Sequence, residues 1–298
     1  MRPLVQVVAS AAVGMTALAA CGGGSSPAGS PPSGNPVQVV AAAATATQSA
    51  GTARADIDIS ADFSGIPGQN TNTIRVTGTG AFDVGRKLAR LDMDLGTATA
   101  RHIKVFADGS TVYINTAGLG LTGAKPWIKM DASTAGAGLT PLSVNPFSGA
   151  QLLSKLTNVK VVGNGTVRGA ATTQYRGTLD MAAALSQMGG STARLGQLSP
   201  ALENALAGTT MPVDVWIDGQ DRLRRLAMNV DLAPFMRKLF QQFGATSDSS
   251  LPPDMKALIS IDFSLYDFGA NLDLTPPPAG DVGPAPPNFQ LPGAGTSL

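Results

Sequence analysis

Two pairs of aspartates, Asp56 with Asp58 and Asp92 with Asp94, stand two residues apart. On a β-strand that spacing puts both carboxylates of a pair on one face. Carboxylates so placed can share a proton in acid–base work or hold a divalent cation. Here they alternate with apolar residues and have arginines nearby in the sequence, which reads as a solvated, ion-paired face. His102 is the only histidine and Glu203 the only glutamate, so few first-choice ligands for zinc or iron exist. Tyr175 and Arg176 in "TTQYRGTLD" point to opposite faces of a strand and form no pair. Asn164-Gly165-Thr166 matches a glycosylation acceptor but reads as a hairpin turn, and no G-x-S-x-G, P-loop or dinucleotide fingerprint occurs. No catalytic residue, metal site or cofactor is therefore expected, and the chain is read as a non-enzyme.

Cys21, the only cysteine, carries a different chemistry. Arg2 is the only charge before it, and residues 4–20 are almost wholly apolar or small, the layout of a secretory signal peptide. That run is too short to cross a bilayer as a helix, which takes about 20 apolar residues. "Leu18-Ala19-Ala20-Cys21" resembles the lipobox of bacterial lipoproteins. The resemblance implies that Cys21 becomes the first mature residue, thioether-linked to diacylglycerol and anchored to the cell membrane on its extracytoplasmic side. Acyl chains at ~0.8 kcal/mol per buried methylene, palmitate among them, make such an anchor durable. Residues 1–20 are thus expected to be the signal peptide, and residues 21–35 a disordered tether of Gly, Ser and Pro reaching roughly 20 Å. Residues 276–298, equally rich in Pro and Gly, are expected to be a disordered tail. Without Arg2 the 21 basic residues become 20 against 20 acidic ones. A chain with no basic surplus is a poor partner for nucleic acid.

Between the tether and the tail, residues 36–275 read as a single domain, mostly with period two. "ARADIDISADF" puts Ile57 and Ile59 on one side, and "RKLARLDMDL" does the same for Leu91 and Met93. In "PVDVWIDGQDRLRRLAMNVDL", Val213 and Val215 face the side of Leu226, Met228 and Val230. Asp108-Gly109 and Asn164-Gly165 are expected to close hairpins. The pattern predicts about ten or eleven antiparallel strands, each with one apolar face. Asn35-Pro36 opens a helix that Gly51 ends. Broken helical pieces follow around Met181, Leu185 and Met188. "DLAPFMRKLFQQFG" places Phe235, Met236, Leu239, Phe240 and Phe243 on one apolar stripe. A one-sided sheet this wide cannot leave its apolar face wet. The expected fold is α+β: a curved antiparallel sheet, a half-barrel, with helices covering its concave face. Gly78, Gly80 and Gly177 are expected to permit the bends.

The segments "GAFDVGRKLARLDMDL", "DGSTVYI…KPWIKMD", "TTQYRGTLDM" and "MPVDVWIDGQDRLRRLAMNVDL", in this order behind a lipidated cysteine, resemble actinobacterial lipoproteins of the LppX/LprAFG type, whose fold is similar to the LolA/LolB carriers. The resemblance covers residues 36–275. It implies an apolar cavity between sheet and helices that takes the acyl chains of lipids or glycolipids and assists their transport or retention in the envelope. An envelope transporter as partner is left open. Candidate cavity residues are Ile57, Ile59, Leu91, Met93, Met181, Leu185, Met188, Val213, Val215, Leu226, Met228 and Val230. Phe235, Met236, Leu239, Phe240 and Phe243 are candidates for a lid. The alternative is a scaffold lipoprotein with a filled core and no lipid cargo, because alternation is the same for a filled core and a lined cavity.

Overall fold

The computed structural model describes residues 34–65, 72–96, 102–117, 119, 121, 125–132, 150, 152–181, 206, 208–242, 252, 254–286 and 289. Cys21, Leu185, Met188 and Phe243 lie outside them, as do the side chains of Leu239 and Phe240. Helix α1 (Pro36–Ser49) starts as its sequence demands. The Asn35 side chain accepts the Val37 amide at 3.0 Å, proline takes the first turn, and Gly51 leaves the helix at φ +75°. A second helix, α2 (Ala233–Gln242), is initiated by Asp231, whose carboxylate accepts the Ala233 amide at 2.9 Å.

Among the described residues twelve strands form one open sheet. In chain order they are β1 (Thr52–Ser64), β2 (Asn72–Asp83), β3 (Leu88–Asp94), β4 (His102–Asp108), β5 (Thr111–Asn115), β6 (Trp127–Asp131), β7 (Thr157–Val167), β8 (Ala170–Asp180), β9 (Thr210–Asp218), β10 (Leu223–Asp231), β11 (Lys256–Tyr266) and β12 (Val282–Pro284). Their spatial order is β12-β6-β5-β4-β3-β2-β1-β11-β10-β9-β8-β7. Two antiparallel meanders, β1–β6 and β7–β11, therefore meet along the β1–β11 ladder, which runs from Arg54 opposite Tyr266 to Ser64 opposite Lys256. Only β12 is parallel to its neighbour.

The two faces differ as the period-two pattern requires. Ala53, Ala55 and Ile57 of β1 lie on an inner face with Leu91, Val105, Ile114, Ile128, Val215 and Leu265, all in one hydrophobic cluster. Val40, Ala43 and Ala44 of α1 belong to the same cluster, so α1 packs on this face. Thr47 fixes it there: its hydroxyl donates to the Ala43 carbonyl at 2.6 Å and accepts the Leu223 amide of β10 at 2.8 Å. The outer face is mostly polar, and on it Phe106 meets Leu272 and Leu274 of the chain that follows β11.

Two sequence expectations need correction. Asn164 and Gly165 do not turn the chain but lie inside β7; the turn is at Arg168-Gly169, both at positive φ. The longer hairpin lets Arg168 bond Asp56 and stack 3.8 Å above the Tyr266 ring, contacts a turn at residue 165 would forfeit. The tail from residue 276 was expected to be loose, yet it adds β12 alongside β6. The glycines of β2 stand where the chain packs most closely. A Cβ on Gly80 would sit 2.4 Å from the Phe82 ring, and one on Gly78 would sit 2.6 Å from the Asp92 carbonyl. Phe82 is 2% exposed and has no room to yield. Gly80→Ala is expected to cost about 1–3 kcal/mol by overpacking, measured as a lower urea midpoint at unchanged slope.

Candidate functional site

The outer face is where the paired carboxylates lie, and each meets a partner of its own. Arg75 bonds Asp58 at 2.7 Å, Arg225 bonds Asp262, and Arg176 bonds Asp214 at 2.8 Å. These residues come from β2, β1, β11, β10, β9 and β8, six neighbours in the sheet, so charges of alternating pairs run across it as a ladder. Arg225 also stacks on Trp216 at 4.6 Å. Asp56 accepts from Arg168 and from the Tyr266 hydroxyl, the latter at 3.1 Å. Asp92 lies 2.9 Å from His102 Nε2, and Asp94 accepts the Gly96 amide at 2.8 Å. The pairs noted in the sequence thus share faces, but the members of each pair bond different partners. Two shallow hollows on this face are floored by the same ladder, at Asp58 and Asp262. Among the described residues no group of three His, Cys, Asp or Glu side chains could hold a metal ion.

The inner face gathers most of the described cavity candidates. Ile57, Leu91, Met93, Val213, Val215, Leu226 and Met228 are all buried in the main cluster. Ile59, Met181 and Val230 are half-buried against it. This division has a geometry. Toward the β3 and β9 rows the face is closed: Leu91 is 1% exposed and Val215 is 0%. Toward the far ends of β1, β2, β10 and β11 it opens. There Ile59 is opposite Ile261 on one side and Val76 on the other, while Met228 and Val230 pair with Ile261 and Ile259. Ile59, Val76, Val230, Ile259, Ile261 and Phe263 are all half-buried and form one apolar strip four strands wide. Of these, Ile59 and Val230 alone are among the cavity candidates. Ile259, Ile261 and Phe263 carry the same alternation and were legible as inward-facing, but alternation says nothing about depth.

Of the lid candidates, Phe235 and Met236 are half-buried. Met236 packs with Leu232 on a small cluster of Ala233, Met255, Ala257 and Phe63. Since Ala257 pairs with Phe63 two residues beyond Ile259 and Ala61, α2 is rooted at the open end of the strip.

Tyr175 on β8, 2% exposed, is a further inner-face residue that sequence reasoning treated only as unpaired with Arg176. Burial, with the nearby Asp221 charge, pushes its phenol above the ordinary range, so it stays neutral. No helix among the described residues is long and apolar enough to cross a membrane.

An open, largely antiparallel sheet of twelve strands, apolar on the face that carries α1 and ion-paired on the other, defines the fold class. Among solved structures the chain is similar to LprF from Mycobacterium bovis, at 14% identity and TM-score 0.44, covering 83% of this chain and 99% of that one. The lipoprotein LppX from Mycobacterium tuberculosis is similar at 15% identity and TM-score 0.43, covering 80% and 99%. A LolA-superfamily protein from Nitrosomonas europaea follows at 8% identity and TM-score 0.30, covering 80% and 96%. None of the protein-family models matches the sequence, and no curated protein resembles it. Identities this low carry nothing about ligands, which leaves function to the residues themselves.

Proposed function

We propose that this chain is a non-enzymatic lipoprotein of the cell envelope, anchored through Cys21, that takes acyl chains of lipids or glycolipids on its inner face and assists their transport or retention. The observation that carries the reading is the strip of Ile59, Val76, Val230, Ile259, Ile261 and Phe263, six apolar side chains left half-buried side by side on a face whose rows around Leu91 and Val215 are closed. Apolar side chains facing water at the mouth of a core are a cost that hydrocarbon removes, at ~25 cal/mol per Å² covered. An acyl chain is the right shape: a strip crossing four strands at about 4.8 Å spacing spans some 14 Å, the length of a dozen methylenes. Helix α2, rooted at the end of the strip, supports a lid role for Phe235 and Met236. The closed rows around Leu91 and Val215 favour the second reading, a filled core without cargo, over that half of the face only.

The anchor and the cargo site are separable by experiment. Cys21→Ser is expected to move essentially all of the protein from the membrane pellet to the soluble fraction while leaving acyl binding intact. Retention of the serine variant in carbonate-washed membranes would show that another part of the chain holds it there. Uptake of cis-parinaric acid, an acyl chain that fluoresces in apolar surroundings, tests the cargo site, and binding close to one per chain is expected.

A further inference from the structure

Helix α1 joins two places on the sheet. Its last turn is tied to β10, where the Thr47 hydroxyl accepts the Leu223 amide at 2.8 Å. It also packs against β7 and against the short 3-10 turn Leu153–Lys155 that leads into β7. β7 lies three places from β10 in the sheet, so these contacts come from the earlier turns of the helix. α1 therefore starts on the β7 side, and the Gly-, Ser- and Pro-rich stretch from Cys21 joins the domain there. β7 is also the last strand on that side, so one of its edges carries no strand among the described residues.

Two independent features mark this edge. Among the described residues four large apolar side chains are exposed, and three of them are Val37 on the first turn of α1 and Val161 and Val162 on β7, at 43%, 55% and 50%. The charge is one-sided as well. No Asp or Glu occurs between residues 132 and 179, and α1 has no charged residue. Lys155 and Lys160 are exposed and have no carboxylate partner among the described residues. Arg168 and Arg176 of the same hairpin, by contrast, are bonded to Asp56 and Asp214.

Valines that enter the acyl boundary, beside lysines that meet phosphate, suit the surface of an anionic bilayer. A second copy of the chain fits less well. Edge-to-edge pairing wants an even row of free amides and carbonyls, and lysines and bulges on an edge oppose it. On β7 the register shifts between Thr157 and Lys160 and again between Val161 and Gly163. A patch this small holds weakly alone, but a short flexible linker presents it at roughly millimolar effective concentration.

We propose that the β7 edge, through Val37, Val161, Val162, Lys155 and Lys160, is the surface on which the anchored domain rests against anionic phospholipid. The proposal rests on anchoring through Cys21 and adds the orientation of the domain, which meets the membrane edge-on.

The test couples the chain from Cys21 onward, through that thiol, to a maleimide lipid in vesicles. Anchoring is thereby supplied chemically, so a failure of lipidation in cells and a failure of this surface are read apart. On phosphatidylcholine vesicles with about one-third phosphatidylglycerol, an edge seated nine-tenths of the time is expected to slow hydrogen exchange of the β7 edge amides about tenfold over the uncoupled chain. Val161→Asp with Val162→Asp is expected to restore the uncoupled rate, while the Leu223 amide, held by Thr47, keeps its protection and reports an intact fold. Lys155→Gln with Lys160→Gln is expected to erase the difference between these vesicles and pure phosphatidylcholine. Equal β7 exchange on and off the vesicles overturns the proposal. Slowing that appears without vesicles and grows with protein concentration overturns it too, and assigns the edge to a second copy.

Discussion

Asp218→Ala is expected to lower the unfolding free energy by about 3–5 kcal/mol, a large share of the 5–15 kcal/mol typical of a domain. Asp218 ends β9 and is 2% exposed. Its carboxylate accepts the Gln220 and Arg222 amides at 2.9 and 3.0 Å and the Arg222 and Arg224 guanidiniums at 3.0 and 2.6 Å. Both arginines lie 4.8 Å from the Phe268 ring. Removing the carboxylate leaves two cations and two turn amides without their acceptor, and that loss sets the size of the effect. The consequence extends beyond the hairpin, because the neighbouring Leu223 amide is what Thr47 of α1 binds. Urea unfolding at neutral pH measures the difference.

The same group predicts a pH dependence. Burial opposes ionisation of Asp218, but the Arg222 amide and the two guanidiniums outweigh it and hold the carboxyl below its ordinary range. Asp83 is depressed too, chiefly by the Arg86 amide. A carboxyl with a lowered folded-state pKa contributes stability above its unfolded value of about 4, and that contribution is lost as pH falls through the folded value. Stability is expected to decline from about pH 4 downward, and less steeply in Asp218→Ala. An identical slope in the two proteins would show that the carboxyl is not held ionised by its partners.

Ile261→Glu is expected to weaken cis-parinaric acid binding about a hundredfold or more, some 2.7 kcal/mol. Ile261 is at the centre of the open strip, opposite Ile59 and Met228, and an acyl chain lying there would bury the new carboxylate without a partner. With no ligand the glutamate keeps its water, so the fold survives. Leu258→Glu, at a residue 45% exposed on the outer face of the same strand, is the control and should bind as the unsubstituted protein does. Fluorescence titration of the three proteins decides it, and equal affinities would place the cargo site elsewhere.

Much of this architecture is written in local signals. Asn35-Pro36 and Gly51 bound α1 because capping needs only neighbours, and the alternation in β1, β3, β9 and β10 fixes which residues face inward because register follows a period of two. What escaped the sequence depends on partners far along the chain. The Asn164-Gly165 signal yielded to Arg168, whose contacts with Asp56 and Tyr266 are 112 residues and nearly 100 residues away. β12 is three residues in a proline-rich tail and has no period to read. Nothing local in the sequence marks Thr47, since its acceptor role exists only once β10 is in place. Leu91 and Ile59 alternate identically, yet one is sealed and the other open, because depth belongs to the packing of the whole face.

Native mass spectrometry of the Cys21→Ser chain, equilibrated with palmitate and then desalted, tests the central claim most directly. The account predicts a population heavier than the bare chain by one fatty acid, reduced to the bare mass in Ile261→Glu. A bare chain at saturating palmitate, with the fold intact, would contradict it.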